Sequence, residues 1–257
     1  MKNLNQILAD NQGLIPQQPQ QLQVEWSKTS ETERCELART IFWKHLRKRA
    51  QKELKADFVI DDENRQQVSA FVAYFSNNED RMRELEIDPR KGIILIGNPG
   101  SGKSILFRTL RDVLESRHEV EIGGRKLIEA RFFKRCNLYT CEHMAKLFMA
   151  KGEAGLEHFS KGAVHRNGRD KVLKHACFDD LGAEELRNVY GNKKEVMVDI
   201  IQERYDLFLE HGLLTHFTSN LNPQEIENRY SSRIRSRIRQ MCNVIQLGAS
   251  ENYKDRR

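Results

Sequence analysis

The sequence predicts an α/β domain in three layers around a central parallel sheet, preceded by a small helical region. Three observations carry this expectation. From Lys91 onwards, short apolar runs alternate with segments of helical periodicity, the pattern of strands joined by crossover helices. One run, residues 93–96, leads directly into Gly97-Asn98-Pro99-Gly100-Ser101-Gly102-Lys103-Ser104 and then into a helical stripe. Residues 20–88 contain neither Gly nor Pro, so helices joined by polar turns are expected there.

In chain order, residues 1–29 are Gln-rich, contain Pro16 and Pro19, show no periodicity, and read as a flexible tail. Ser30 and Glu33 form a capping-box pattern. Ala38, Phe42, Leu46, Ala50 and Leu54 recur at four-residue intervals, predicting an amphipathic helix over 31–55. Asp61 and Asp62 open a second helix carrying Val68, Phe71, Tyr74 and Phe75. After the strand at 93–96 comes a helix marked by Leu106, Leu110, Val113 and Leu114. Runs at 120–122 and 126–128 flank Gly123-Gly124 and read as a hairpin. A strand is expected over 131–138, then a helix with Met144, Leu147 and Phe148 on one face. Residues 176–178 form a short strand, and Met197, Ile200, Ile201, Tyr205 and Phe208 a further helical stripe. The last strands fall at 213–218 and 244–247.

Composition narrows the class. No apolar run among the 257 residues is long enough to span a membrane, and the polar start does not look like a secretory leader. Five cysteines without a C-x-x-C pair suit reduced thiols in a cytoplasmic protein. Cys136, Cys141 and His143 lack a fourth ligand at a zinc-site spacing. The net charge of +6 is concentrated at residues 44–55 and 229–242, which leaves open whether these are working surfaces or solvated faces.

The glycine-rich segment fits G-x-x-x-x-G-K-[ST] in its required context, after a strand and before a helix. Its glycines let successive backbone N–H groups face a phosphate chain, and the helix N-terminus adds partial positive charge. Lys103 reaches the β- and γ-phosphates of ATP, and the Ser104 hydroxyl ligates Mg²⁺. Such a loop needs a second strand that brings a carboxylate to the metal. Asp179 is placed for that at the end of 176–178, and Asp180 for orienting or deprotonating the attacking water. The long spacer between Lys103 and Asp179 leaves room for an additional strand, a feature of multi-subunit ATPases. Asn220 follows the strand at 213–218 and is positioned as a γ-phosphate sensor, whereas Asn222 with Pro223 reads as a helix cap. In Ser232-Arg233-Ile234-Arg235-Ser236-Arg237-Ile238-Arg239, Arg233 and Arg237 share one helical face and Arg235 and Arg239 another.

In combination these motifs resemble the helicase-loader family of AAA+ ATPases, DnaC-like, and its relative the transposition helper IstB. The matching residues are 97–104, Phe178-Asp179-Asp180-Leu181-Gly182-Ala183-Glu184, Gln202-Glu203-Arg204-Tyr205, Thr218-Ser219-Asn220-Leu221, the arginine helix, and Asn252-Tyr253-Lys254. The resemblance implies an AAA+ core over residues 61–257, with no helical lid domain after it. It implies a Walker B pair at Asp179 and Asp180, a first sensor at Asn220, and an arginine finger at Arg233 with Arg237 beside it, acting across a subunit interface. Lys254 or Arg256 could serve as a second sensor. Residues 30–60 become a helical partner-binding adaptor. The implied role is an oligomeric ATPase that assembles on single-stranded DNA and loads a replicative helicase. The alternative is a helper that assembles on duplex DNA and activates a transposase. Residues 44–55, the stretch 161–174 and the Arg235/Arg239 face are the basic surfaces open to nucleic acid.

Overall fold

The computed structural model describes residues 31–122, 125–160, 163–164, 171–172, 174–185, 187–189 and 192–248. The tail over 1–29, the Gly123-Gly124 turn, Lys161, His165, Arg166 and Arg169, and the end with Lys254 and Arg256 lie outside the described residues.

Helices α1 (Glu31–Glu53), α2 (Arg65–Phe75) and α3 (Glu79–Glu84) come first. Strand β1 (Gly92–Gly97) and helix α4 (Lys103–Glu115) follow, then the hairpin β2 (Glu119–Ile122) and β3 (Arg125–Ile128). After β4 (Asn137–Thr140) come α5 (Cys141–Lys151), α6 (Glu153–Ser160) and the short pair β5 (Ala163–Val164) and β6 (Lys171–Val172). Strand β7 (Ala176–Leu181) is followed by the pair β8 (Arg187–Val189) and β9 (Asn192–Lys194). The remainder runs α7 (Val196–His211), β10 (Thr215–Ser219), α8 (Pro223–Tyr230), α9 (Ser232–Met241) and β11 (Cys242–Leu247).

Five strands form one parallel sheet in the order β11-β1-β10-β7-β4. A parallel sheet is covered on both faces, which is why its strands read as apolar runs rather than alternations. Ile93, Leu95, Ile245 and Leu247 face a cluster shared with α1, α2 and α4. Ile94, Ile96, Phe178 and Phe217 face the other cluster, with Met144, Met197, Ile200, Ile234 and Ile238 from the helices opposite. Fully burying one such side chain stabilises by roughly 1.5–3 kcal/mol, so the sheet is the rigid floor of the molecule. The predicted fold class, α/β with a central parallel sheet and N-terminal helices, is the observed one.

Helix α1 ends at Glu53 and packs on the sheet's first layer: Ala38, Phe42, Leu46 and Ala50 are buried with Phe71 and Phe107. Ionic contacts reinforce it. Arg49 binds Asp112 of α4 through two nitrogens and Glu53 through a third (2.7 Å).

The strand expected over 131–138 is displaced. Residues Glu129–Phe132 form a 3₁₀ turn, and the strand starts only at Asn137. Phe132 and Phe133 turn into the core, and the buried Glu129 carboxylate meets His45 Nε2 at 2.7 Å and accepts from Ser116 Oγ at 2.9 Å. These contacts fix the chain in a turn that β-propensity alone does not reveal. Likewise α2 begins at Arg65 rather than Asp61: residues 62–64 form a turn, with the Asp61 N–H bonded to the Asn64 side chain (3.2 Å).

Candidate active site

The loop 97–104 connects the end of β1 to α4. Gly102 is the residue before the helix, at φ 94°, a region open to glycine. A Cβ there would also lie 2.4 Å from the Phe58 ring, so the residue is fixed by conformation and by space. Lys103 is buried, and its ammonium donates to the carbonyls of Gly97 (2.6 Å) and Asn98 (2.9 Å) and to Ser101 Oγ (3.2 Å). Burial pushes its pKa down to about 8, opposed by the nearby Asp180 and Asp179. Ser101 is buried beneath the loop, while Asn98 and Pro99 are exposed and Gly100 turns at φ 84°.

Strand β7 runs to Leu181, so both acids lie within it rather than beyond its end. Its pairing with β10 contains a bulge. Phe178 pairs with Phe217 and Leu181 with Ser219, so Thr218 alone faces Asp179 and Asp180. Asp180 sits at φ 60°, an uncommon conformation for a non-glycine residue that suits a bulge re-aiming a side chain. Thr218 compensates for the broken ladder: its Oγ1 accepts the Asp180 N–H (2.8 Å) and donates to Asp179 Oδ1 (2.6 Å). Ser104 Oγ donates to the same Oδ1 (2.8 Å). The other oxygen, Oδ2, is buried without a hydrogen-bond partner among the described residues, and Arg108 Nη2 is 3.6 Å away. Burial raises the Asp180 pKa, with the neighbouring Asp179 charge adding to the rise and Lys103 opposing it.

These groups meet at a cavity of about 320 Å³ lined by Pro99, Gly100, Gly102, Lys103, Ser104, Arg108, Asp180 and Asn220. Glu53 and Leu54, at the end of α1, also line it. Of the sequence-predicted residues, Pro99, Gly100, Gly102, Lys103, Ser104, Asp180 and Asn220 therefore meet at one cavity, with Asp179 bonded to Ser104 beside it, whereas Gly97, Asn98 and Ser101 do not line it. The residues fit a divalent cation: a hydroxyl and a carboxylate stand side by side, and the carboxylate keeps one buried oxygen uncommitted. Sequence reasoning missed Thr218, Arg108, Glu53 and Phe58. One of these had a signal: Arg108 is four residues after Ser104, on the same helical face.

Arg233 and Arg237 are not among the described residues lining this cavity. Both belong to α9, whose Ile234, Ile238 and Met241 are buried. Arg233 is exposed. Arg237 lies over the Tyr205 ring at 5.0 Å, and Arg235 pairs with Glu227 (2.6 Å), which uses part of the charge of the Arg235/Arg239 face within the chain. Asn222 caps α8 in a full capping box with Glu225, so it is committed to structure. Behind β7, Glu184 is buried, accepts the Gly182 N–H (2.9 Å) and is bonded by the Tyr230 hydroxyl; Arg229 donates to the Gly182 carbonyl (2.7 Å). The turn after the acids is thus tied to the end of α8, directly before the arginine helix.

No family model and no curated protein matches the sequence. Among solved structures the chain is similar to a primosome component from Streptococcus pyogenes serotype M3, with 23% identity over 73% of this chain and 82% of that one (TM-score 0.44). It is also similar to DnaI, with 22% identity over 82% and 93% (TM-score 0.44), and to the DnaC helicase loader, with 18% identity over 71% and 98% (TM-score 0.41). No helix among the described residues is long and apolar enough to cross a membrane.

Proposed function

We propose that the protein is an ATPase whose site is completed by a second copy of the chain, and that it acts as a helicase loader on single-stranded DNA. The observation that carries the nucleotide reading is the meeting of Lys103, Ser104, Asp180 and Asn220 around one cavity, with Asp179 directly beneath. Mg²⁺, held by Ser104 and, through water, by Asp179, would polarise the terminal phosphate. Lys103 exchanges its loop carbonyls for phosphate oxygens, and the incoming negative charge restores full protonation of its ammonium. Asp180, already biased towards holding a proton, is suited to accept one from the attacking water. Asn220 orients that water or the γ-phosphate. The loader role, with residues 30–60 as the partner-binding adaptor and 61–257 as the ATPase domain, is supported by the order and spacing of the motifs.

Lys103→Ala should abolish tight ATP binding in a direct titration, and retained affinity would remove the basis of the reading. Arg233→Ala should bind ATP yet not hydrolyse it. Mixing it with Asp179→Ala should restore turnover, because each copy supplies the group that the other lacks. Trapping ATP with Asp180→Asn and recovering partners from the native host would return a replicative helicase on this reading; recovery of a transposase would move the chain to the transposition role.

A further inference from the structure

We propose that Arg108 is a phosphate-binding residue supplied within the same subunit, held ready beside the cavity by Glu53 and directed at the terminal phosphate of ATP; this rests on the nucleotide reading above. Ser104 and Arg108 are one turn apart on α4, so the helix that presents the hydroxyl presents the guanidinium to the same space. Arg108 spans two carboxylates: Nη1 is 3.4 Å from Glu53 Oε2 and Nη2 is 3.6 Å from Asp179 Oδ2. Both contacts are long, and the side chain is 37% exposed. Arg49, by contrast, is clamped by Asp112 and Glu53 and is not free to turn. Arg108 is therefore the cation that a competing anion can redirect at small cost.

The charge balance gives the reason for a second cation. Lys103 and Arg108 face Asp179, Asp180 and Glu53 around the cavity. Even with Glu53 shared with Arg49 and with one Mg²⁺ bound, a triphosphate leaves net negative charge that Lys103 alone cannot offset. The Arg108 guanidinium lies against Asp179, at the acid end of the cavity, where the third phosphate would sit and a diphosphate would not reach. A planar fork of donors suits that phosphate group. With Asp179 committed to Mg²⁺ through water, Arg108 would exchange its long contact to Oδ2 for the phosphate. Glu53 keeps Arg49, so α1 stays anchored.

The test is equilibrium binding of fluorescent ATP and ADP analogues, with Mg²⁺ fixed, to the full chain. Arg108→Ala should weaken ATP by about tenfold while changing ADP less than twofold. Arg108→Lys should recover part of that ratio, as a phosphate contact allows and a purely packing role does not. Glu53→Gln, which removes the competing charge but keeps an acceptor that can hold the guanidinium in place, should preserve or sharpen the preference for ATP, and a lost preference would count against the proposal. Equal weakening of ATP and ADP, or no change, in Arg108→Ala overturns the proposal. Lys103→Ala separates the two failures. If it abolishes binding while Arg108→Ala keeps the ATP-to-ADP ratio, the Arg108 role alone falls; if Lys103→Ala binds normally, the nucleotide reading falls and the Arg108 role with it.

Discussion

Replacing Thr218 with Val tests whether the acids are aimed by one hydroxyl. Val matches Thr in shape, and Thr218 is fully buried, so the substitution removes the hydroxyl and little else. What is lost is Oγ1, which serves both the Asp180 N–H and Asp179 Oδ1. A buried N–H left unpaired costs about 1–3 kcal/mol, and a hydrogen bond to a carboxylate contributes about 1.5–3 kcal/mol. Because Ser104 still serves Oδ1, the smaller ends of these ranges apply, and the net loss should be roughly 2.5 kcal/mol. For a chain of this size that lowers Tm by roughly 5–10 °C. Urea unfolding of Thr218→Val and Thr218→Ser gives the comparison, since Ser retains both bonds and forfeits only a methyl group, worth about 1 kcal/mol. In the same pair kcat should fall far more for Val than for Ser, with ATP affinity changing little. A Val variant within 0.5 kcal/mol of wild type by urea unfolding would refute the role given to the hydroxyl.

Three further outcomes follow from named contacts. Lys134 lies 4.0 Å over the Tyr74 ring, and burial pushes its pKa down to about 8. Between that value and the ordinary lysine range the unfolded chain holds more protons, so its contribution to stability rises with pH; Lys134→Met should flatten this segment of the stability-pH profile from thermal melts, and an unchanged slope would argue against it. Arg204 is buried and donates to Thr215 Oγ1 (2.7 Å) and to the Leu214 (2.9 Å) and Lys174 (3.2 Å) carbonyls; Arg204→Ala should destabilise by more than about 3 kcal/mol in urea, with Lys restoring only part because it lacks the fork. Gly102→Val should abolish ATP binding through φ strain and the Phe58 clash while leaving far-UV circular dichroism unchanged; a variant that still binds ATP tightly would show that the loop tolerates a side chain.

The layering was legible because β1, β7 and β10 are buried on both faces and therefore read as apolar runs, with helical stripes between them. The glycine loop was legible because backbone geometry and phosphate chemistry restrict the residues that can stand there. The bulge at Asp179 and Asp180 was not, since it depends on pairing between strands far apart in sequence, and Thr218 reads as an ordinary strand residue until that pairing is known. The turn at Glu129–Phe132 was hidden for a similar reason: His45 and Lys44, which meet Glu129, come from α1. Glu53 was obscured by the basic character of residues 44–55, where a lone acid looks like charge balance. Its position at the cavity depends on how α1 packs against α4.

The arginines near α9 show how a basic cluster divides into structural charge and available charge. Arg229 is engaged by the Gly182 and Glu184 carbonyls, Arg235 by Glu227, and Arg237 by the Tyr205 ring. Arg233 makes no ion pair among the described residues, and it occupies the first turn of α9, which carries no acid. A cation there faces the positive end of the helix dipole, a placement that opposes stability by a few tenths of a kcal/mol. Residues that a fold keeps against its own stability are the ones to assign to function first. Arg233 also lies in the helix that follows Arg229, whose contacts reach the turn directly after Asp179 and Asp180. A shift at those acids on nucleotide binding would therefore be felt at the base of the arginine helix. That gives the proposed finger a physical route by which the nucleotide state of its own subunit could govern what it offers the neighbouring one.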